Sequence, residues 1–211
     1  MSRPDPWAAL RAVRADVDGD RLESYAREIE RWNRAIRLVG PKDLPGIRVQ
    51  VVDAVLPFLL FSPAFPLLDI GSGAGLPGIP IAVAYPEGRV VCLEPLAKRV
   101  SFLRHAVRHL RLGNVRIAGG KAEQAVGEQP ELRAAFAMVT ARAVADPAVV
   151  LALGAPFLSA AGRVVLLRGR EQAPEVPGWQ LLDEGAYEGP VGVGERRRFV
   201  YVRVEATTKA G

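Results

Sequence analysis

Cysteine is all but missing from this 211-residue chain: Cys92 is the only one. An intrachain disulfide is therefore impossible and a cysteine-built metal cluster is excluded. Cys92 lies in the apolar run Arg89-Val90-Val91-Cys92-Leu93 and reads as a small buried core side chain rather than a nucleophile. Histidine is nearly as scarce. His105 and His109, the only two, are four residues apart and would share a helix face, but no third ligand lies near them in the sequence, so they read as surface histidines and no metal is expected. Long apolar runs are also lacking: none is read as spanning a bilayer, and the opening Met1-Ser2-Arg3-Pro4-Asp5 has no hydrophobic region of the signal-peptide kind. A cytoplasmic protein without a membrane partner is the expectation. No heptad seam or long exposed apolar strand is evident, which points to a monomer.

Lysine is the fourth scarcity. Of 28 basic residues only Lys42, Lys98, Lys121 and Lys209 are lysines, and against 23 acidic residues the chain carries a net charge of +5. The planar guanidinium fork suits phosphate oxygens and base edges, so the bias agrees with a nucleic-acid partner. It agrees equally with a GC-rich genome. With 49% of residues hydrophobic, the chain can bury one sizeable core and has little room for a second independent domain.

Residues from about Trp7 to Leu60 carry a helical pattern, with Leu22, Tyr25, Ile29, Trp32, Ile36 and Val39 at three- and four-residue spacing and charges between them. Gly40-Pro41 is expected to stop that helix, and Pro57, Pro63 and Pro66 to break the next apolar stretch, Val49 to Leu60. After Pro66, short β-branched or leucine-rich runs alternate with amphipathic segments, as in an α/β fold with a parallel sheet and crossover helices. The expected strands are Leu67–Ile70, Val90–Glu94, Val115–Ala118, Ala137–Thr140, Val164–Leu167, Trp179–Leu182 and Phe199–Val204, the last pair an antiparallel hairpin or edge. Helices are expected at Pro77–Ala84, Leu96–Leu110 and Ala145–Leu158. The organisation this implies is an N-terminal helical cap, residues 1–64, joined as one structural unit to a Rossmann-like domain, residues 65–211.

The turn after the first strand reads Asp69-Ile70-Gly71-Ser72-Gly73-Ala74-Gly75-Leu76-Pro77-Gly78. Gly73, Gly75 and Gly78 satisfy the G-x-G-x-x-G pattern of dinucleotide sites, a weak signal by itself. Asp69 shifts the balance. A carboxylate there would repel a pyrophosphate and suits a cation, such as the ammonium and sulfonium of S-adenosylmethionine, whose uncharged link between sulfur and ribose needs glycines only for close backbone approach. Glu94, closing the second strand, can accept ribose hydroxyls in either cofactor class. A nicotinamide-dependent oxidoreductase built on the same glycines is the rival enzyme class.

These residues resemble the bacterial 16S ribosomal RNA guanine-N7 methyltransferases, also called the glucose-inhibited division protein B family. The similarity runs from about Tyr25 to Leu167. Asp69 to Pro80 is close to the family's D-I-G-[ST]-G-x-G-[FL]-P-G-[IL]-P, and Lys98-Arg99-Val100-Ser101-Phe102-Leu103 to its K-R-x-x-F-L. Leu112-Gly113-Asn114-Val115 and Thr140-Ala141-Arg142-Ala143 follow, the latter keeping the arginine of the family's S-R-A. The resemblance implies a class I S-adenosylmethionine methyltransferase fold with helices on both faces of the sheet. It implies methyl transfer to N7 of a guanine in 16S rRNA of the small subunit, and a cofactor held by Asp69, Gly71, Gly73, Gly75, Leu76, Glu94, Ala122, Glu123 and Arg142. Arg142 and Asp53 would position the reactants, with no catalytic acid or base, because N7 carries a lone pair and no proton. Arg168 and the Arg196-Arg197-Arg198 cluster are candidates for RNA contact.

Three departures fall outside the cofactor motif. Trp32-Asn33-Arg34-Ala35-Ile36-Arg37-Leu38 has Arg37 where the family's W-N-x-x-x-N-L has asparagine. Gln50 and Ala54 stand where the family has histidine and serine around Asp53. A divergent assembly factor that binds cofactor and RNA without turnover is therefore the alternative within the same resemblance.

Overall fold

The structure, a computed structural model, describes residues 6–142, 146–169, 171–190 and 192–204. Three helices come first: α1 (Ala8–Val13), α2 (Gly19–Asn33) and α3 (Leu44–Phe61). Asp18 caps α2, its carboxylate accepting the Arg21 amide at 2.9 Å and so satisfying one of the donors a helix start leaves open. The helix ends at Asn33, ahead of the expected stop at Gly40-Pro41. From there the Asn33 side chain takes over the chain's polar groups. Its Oδ1 accepts the amides of Leu38 and Val39, and its Nδ2 donates to the carbonyls of Val39 and Pro41.

Pro57 does not break the chain as expected; it lies inside α3. An internal proline costs a helix about 3 kcal/mol, but here Val51 to Leu59 is a continuous buried run, and packing on all sides outweighs the local cost. That run also corrects the reading that no segment is long enough for a membrane. Leu44–Phe61 is 18 residues of mean hydropathy 1.6, apolar enough by length and composition, and 56% of it is buried inside this fold, as in a core helix.

The sheet follows as β1 (Leu67–Ile70), β2 (Val90–Glu94), β3 (Val115–Gly119), β4 (Phe136–Ala141), β5 (Leu158–Arg168), β6 (Trp179–Glu188) and β7 (Glu195–Arg203). Spatial order is β3-β2-β1-β4-β5-β7-β6. The first five strands are parallel, and β7 runs antiparallel between β5 and β6. Between them come α4 (Gly78–Ala84), α5 (Ala97–His109), α6 (Ala122–Glu128) and α7 (Pro147–Gly154). The expected start of α7 at Ala145 lies outside the described residues. The α6 helix was not expected, and β5, β6 and β7 all run longer than their apolar cores suggested.

Strand alternation sorts the core into two faces. Leu67, Val90, Cys92 and Met138 point to the side covered by the N-terminal helices, α4 and α5, while Leu68, Leu93, Val139 and Leu166 point to the side covered by α6 and α7. The N-terminal helices and the first face share one continuous cluster that includes Leu22, Tyr25, Ile29, Val51, Phe58, Ile79 and Phe102. Phe102 is fully buried, stacked on Tyr25 at 6.5 Å between centroids and edge-on to Trp32 at 5.6 Å. Truncation of such a ring costs about 3–5 kcal/mol. Phe102→Ala is accordingly expected to lower the unfolding free energy by that amount in urea titrations, an effect near zero being incompatible with this packing.

Candidate functional site

Strand order reverses around β1: the chain steps from β1 to β2 and β3 on one side and returns to β4 on the other. Open α/β sheets bind ligands at such a switch point, beyond the carboxyl ends of the strands. A cleft of about 560 Å3 lies there, lined by Gly71, Ser72, Gly73, Ala74 and Leu76 of the glycine loop, Glu94 to Leu96 after β2, Arg99 on α5, Arg142 after β4, and Leu38 to Gly40 with Gln50 from the helical cap. Its volume falls in the range of roughly 300–1,000 Å3 usual for small-molecule sites.

The loop is held from three sides. Gly71, Gly73 and Gly75 adopt φ of 66°, 59° and 88°, a region that L side chains rarely enter. From the cap, the Tyr25 hydroxyl donates to the Ala74 carbonyl. From β2, Glu94 Oε2 accepts the Gly73 amide at 2.8 Å while its Oε1 accepts Leu96 at 3.0 Å. From below, Asp69 Oδ2 accepts the Gly78 amide at 3.1 Å, and the Ser72 hydroxyl donates to the Asp69 carbonyl at 2.8 Å. Gly78 permits this approach: a Cβ there would lie 2.7 Å from Cys92 Sγ and 3.0 Å from Asp69 Oδ2. Cys92 is the buried core side chain expected, its thiol pushed up by burial.

Asp69 therefore requires a correction. Its carboxylate was expected to face a cationic ligand, but it is wholly buried under the loop, pointing to the cap-side face of the sheet with Cys92, and it does not line the cleft. Burial, with Oδ1 left without a hydrogen-bond partner, raises its carboxyl to about 7, against the lowering effect of the Gly78 amide. Ala122 and Glu123, which open α6, do not line the cleft either. Lys98 is exposed, whereas its neighbour Arg99 turns into the cleft and donates to the Arg37 carbonyl at 3.5 Å.

Arg142 is tethered by three hydrogen bonds. It donates through Nη1 to the Gln50 carbonyl (3.1 Å) and through Nη2 to Gln50 Oε1 (2.8 Å) and Asp53 Oδ2 (2.9 Å). Asp53, buried on α3, also meets Arg196 at 3.3 Å through its other oxygen. Gln50, singled out in the sequence as a departure, thus supplies a side-chain acceptor to the same arginine that Asp53 holds. The rest of the arginine run is engaged elsewhere: Arg198 pairs with Asp183 and stacks over the Phe61 ring at 4.2 Å, and Arg197 is 4.0 Å from Glu195. It does not form a single phosphate-tracking stripe. Arg168 ends β5 beside Arg197 in the β7 register.

The donor set fits S-adenosylmethionine in part. Glu94 keeps a lone pair on each oxygen for ribose hydroxyls, and no side chain would obstruct close approach at Gly73, whose nearest Cβ neighbour is a backbone oxygen at 3.8 Å. Among the described residues, no carboxylate other than Glu94 reaches the cleft lining.

A family model described as rRNA small subunit methyltransferase G matches residues 18–180. Proteins of that name from Xanthomonas campestris pv. campestris and Wolinella succinogenes are similar to this chain. The first is 35% identical over 209 residues, covering 93% of this chain and 95% of that protein. The second is 33% identical over 157 residues, covering 74% and 78%. Among solved structures, a variant of MtNAS in complex with S-adenosylmethionine superposes with a TM-score of 0.57 at 16% identity, covering 88% of this chain and 73% of that one. A SAM-dependent methyltransferase from Aquifex aeolicus gives 0.56 at 14%, covering 86% and 98%. At these identities the superpositions speak to the fold.

Asp69 also generates a pH dependence. An acid whose folded value lies above its unfolded one binds a proton in the native state that the unfolded chain releases, so its contribution is complete below about 4 and is lost as pH rises through about 7. In ligand-free protein, Asp69→Asn, which keeps an acceptor for Gly78, should flatten the fall in stability between these limits, by on the order of 1.4 kcal/mol per pH unit. Superimposable pH profiles of the two proteins would refute the assignment.

Proposed function

The chain belongs to the rRNA small subunit methyltransferase G family, and from that premise we propose that it methylates N7 of a guanine in 16S rRNA, acting as a cytoplasmic monomer on the small ribosomal subunit, with its residues 1–64 as a helical cap on a cofactor domain of residues 65–211. S-adenosylmethionine would supply the methyl from its sulfonium, the methyl–sulfur bond breaking to leave S-adenosylhomocysteine as the bond to guanine N7 forms, and the N7 lone pair needs no base to expose it. The protein's task is then positioning, which contributes roughly 7–11 kcal/mol in the best-oriented reactions.

The observation that carries this reading is that Glu94, at the end of β2, and Arg142, just after β4, line one cleft on either side of β1 together with the glycine loop. Glu94 accepts the ribose hydroxyls. Gly71, Gly73, Gly75 and Leu76 give the cofactor close contact with backbone. Ala122 and Glu123, at the carboxyl end of β3, complete the adenine side when the cofactor enters. Asp69 acts through Gly78, by setting the loop's shape. Arg142 holds the methionine carboxylate or an RNA phosphate; its guanidinium has more donors than its bonds to Gln50 and Asp53 use. It stays off N7 itself, since a cation there opposes the charge that methylation creates. Arg99 and Arg168 extend the positive rim toward RNA.

Transfer of labelled methyl from S-adenosylmethionine to small subunits lacking the modification, followed by nucleoside analysis, tests the proposal. Label in 7-methylguanosine is expected. Binding of S-adenosylhomocysteine with no transfer to subunits or naked rRNA would favour the assembly-factor alternative, which the acceptor supplied by Gln50 weakens. Two variants separate the walls: Glu94→Ala should weaken S-adenosylhomocysteine binding about tenfold or more, while Asp53→Asn, which loosens Arg142, should lower turnover by about a hundredfold with a smaller effect on that binding.

A further inference from the structure

Toward the C-terminal end of α5, His105 and His109 stand one helical turn apart with their rings stacked, centroids 5.7 Å apart and planes 16° from parallel. The third ligand that the local sequence lacks comes from α2. Glu28, buried, puts its Oε2 at 2.6 Å from His105 Nε2, and one ligand atom from each of Glu28, His105 and His109 lies within 4.8 Å of the others. We propose that these three side chains form a zinc site that clasps the helical cap to α5.

The donor chemistry supports a transition metal over a plain ion pair. Two imidazoles and one carboxylate are a set that Zn2+ takes up, with an open position left for water. Histidines four apart on a helix present both rings to the same point. Around a tetrahedral ion with bonds of about 2.0–2.2 Å the donors stand roughly 3.4 Å apart, so Glu28 Oε2 and His105 Nε2, now at 2.6 Å, must open by roughly 0.8 Å while the widest separation, within 4.8 Å, closes by at most roughly 1.4 Å. His109, exposed at the rim, has the room. The outer contacts already orient the ligands. Trp32 packs on His105 at 5.3 Å, and Arg31 sits 3.5 Å from Glu28 Oε1, leaving Oε2 to face the histidines. Ser24 Oγ is 2.9 Å from His109 Nε2 and would rotate away or bond to the bound water. The Arg31 charge opposes a dication, so a low-micromolar rather than a much tighter site is the expectation.

The clasp acts on the cleft through the two helices it joins. One turn before Glu28, Tyr25 holds the Ala74 carbonyl, and at the other end of α5, Arg99 lines the cleft. Zinc would stiffen this frame without touching the cofactor. The site is independent of which nucleotide is modified.

Titration calorimetry of the full chain, free of any affinity tag, with ZnCl2 near neutral pH provides the test, alongside thermal unfolding. One Zn2+ per chain is expected, with affinity lowered about tenfold or more in both His105→Gln and His109→Gln, and a rise of about 5–10 °C in Tm at a hundredfold excess over Kd. His109→Gln is at an exposed position, and unchanged near-ultraviolet dichroism without metal would show that the fold is intact. Co2+ should give visible bands of tetrahedral intensity in the parent protein and none in the double histidine variant. Failure to bind one equivalent, or equal affinity in the parent and the double variant, would overturn the proposal.

Discussion

A buried carboxylate under a glycine loop is an expensive device, and in this fold the rest of the cleft is arranged around it. Asp69, the third residue of β1, lies on the cap-side face of the sheet because strand alternation sends Leu68 and Ile70 to the other face. Its Oδ2 meets the first amide of α4, so the loop between the strand and the helix is closed into an arc of fixed width. The desolvation that raises its pKa to about 7 is the cost of that closure. Only glycine at position 78 and a side chain as small as Cys92 leave room for it. Once the arc is set, Tyr25 and Glu94 can reach Ala74 and Gly73 from the cap and from β2, and the positive-φ glycines are held rather than merely tolerated.

The cap is the other half of this construction. Its helices bury Leu22, Tyr25, Val51 and Phe58 in the same cluster as Ile79 and Phe102, so cap and sheet share one core. Two of its polar side chains do for the cleft's outer wall what Asp69 does for the floor. Asn33 gathers the backbone of Leu38, Val39 and Pro41 and thereby shapes the segment that lines the cleft opposite the loop. Asp53 accepts from Arg142 while only 8% of its side chain is exposed, and shares its other oxygen with Arg196. Removing one partner from such a buried set leaves an uncompensated charge, which is costly out of proportion to the net worth of the pair.

How much of this could be read from sequence follows from which interactions are local. β1 and β2 were bounded correctly because they are short apolar runs between turn signals, and their alternation is hidden by burial on both faces. The α6 helix was missed because Ala122–Glu128 offers only Ala125 and Val126 as buried residues, too few for a periodic signal. β6 was truncated because its outer half is a polar, exposed edge held by pairing with β7 rather than by its own burial. Pro57 misled because a local rule gave way to packing. The glycine loop itself was legible as a motif, but Asp69's orientation was not: the G-x-G pattern records that backbone comes close to something, not which way the preceding side chain points. Longest in reach are the contacts between the cap and the sheet. Arg142 and Gln50 are 92 residues apart, and Glu28 and His105 are 77 apart, so neither the tether nor the carboxylate partner of His105 leaves any trace in local spacing.

Those long-range contacts share a physical logic that suits the chemistry. Attack by a neutral ring nitrogen on a methyl carbon calls for no proton transfer, so a site for it gains little from a titrating side chain and much from fixed geometry. Among the described residues, the charged groups lining the cleft are Glu94, Arg99 and Arg142. Each already has a hydrogen-bonded partner before any ligand arrives: two amides for Glu94, the Arg37 carbonyl for Arg99, and Gln50 with Asp53 for Arg142. Long side chains that are ordered in advance lose less freedom when a ligand is bound, and in a half-buried cleft their charges act at short range with little water between. Asp69, whose carboxyl burial raises to about 7, is sealed beneath the floor, where a change in its protonation would move the loop's energy and not the reacting atoms.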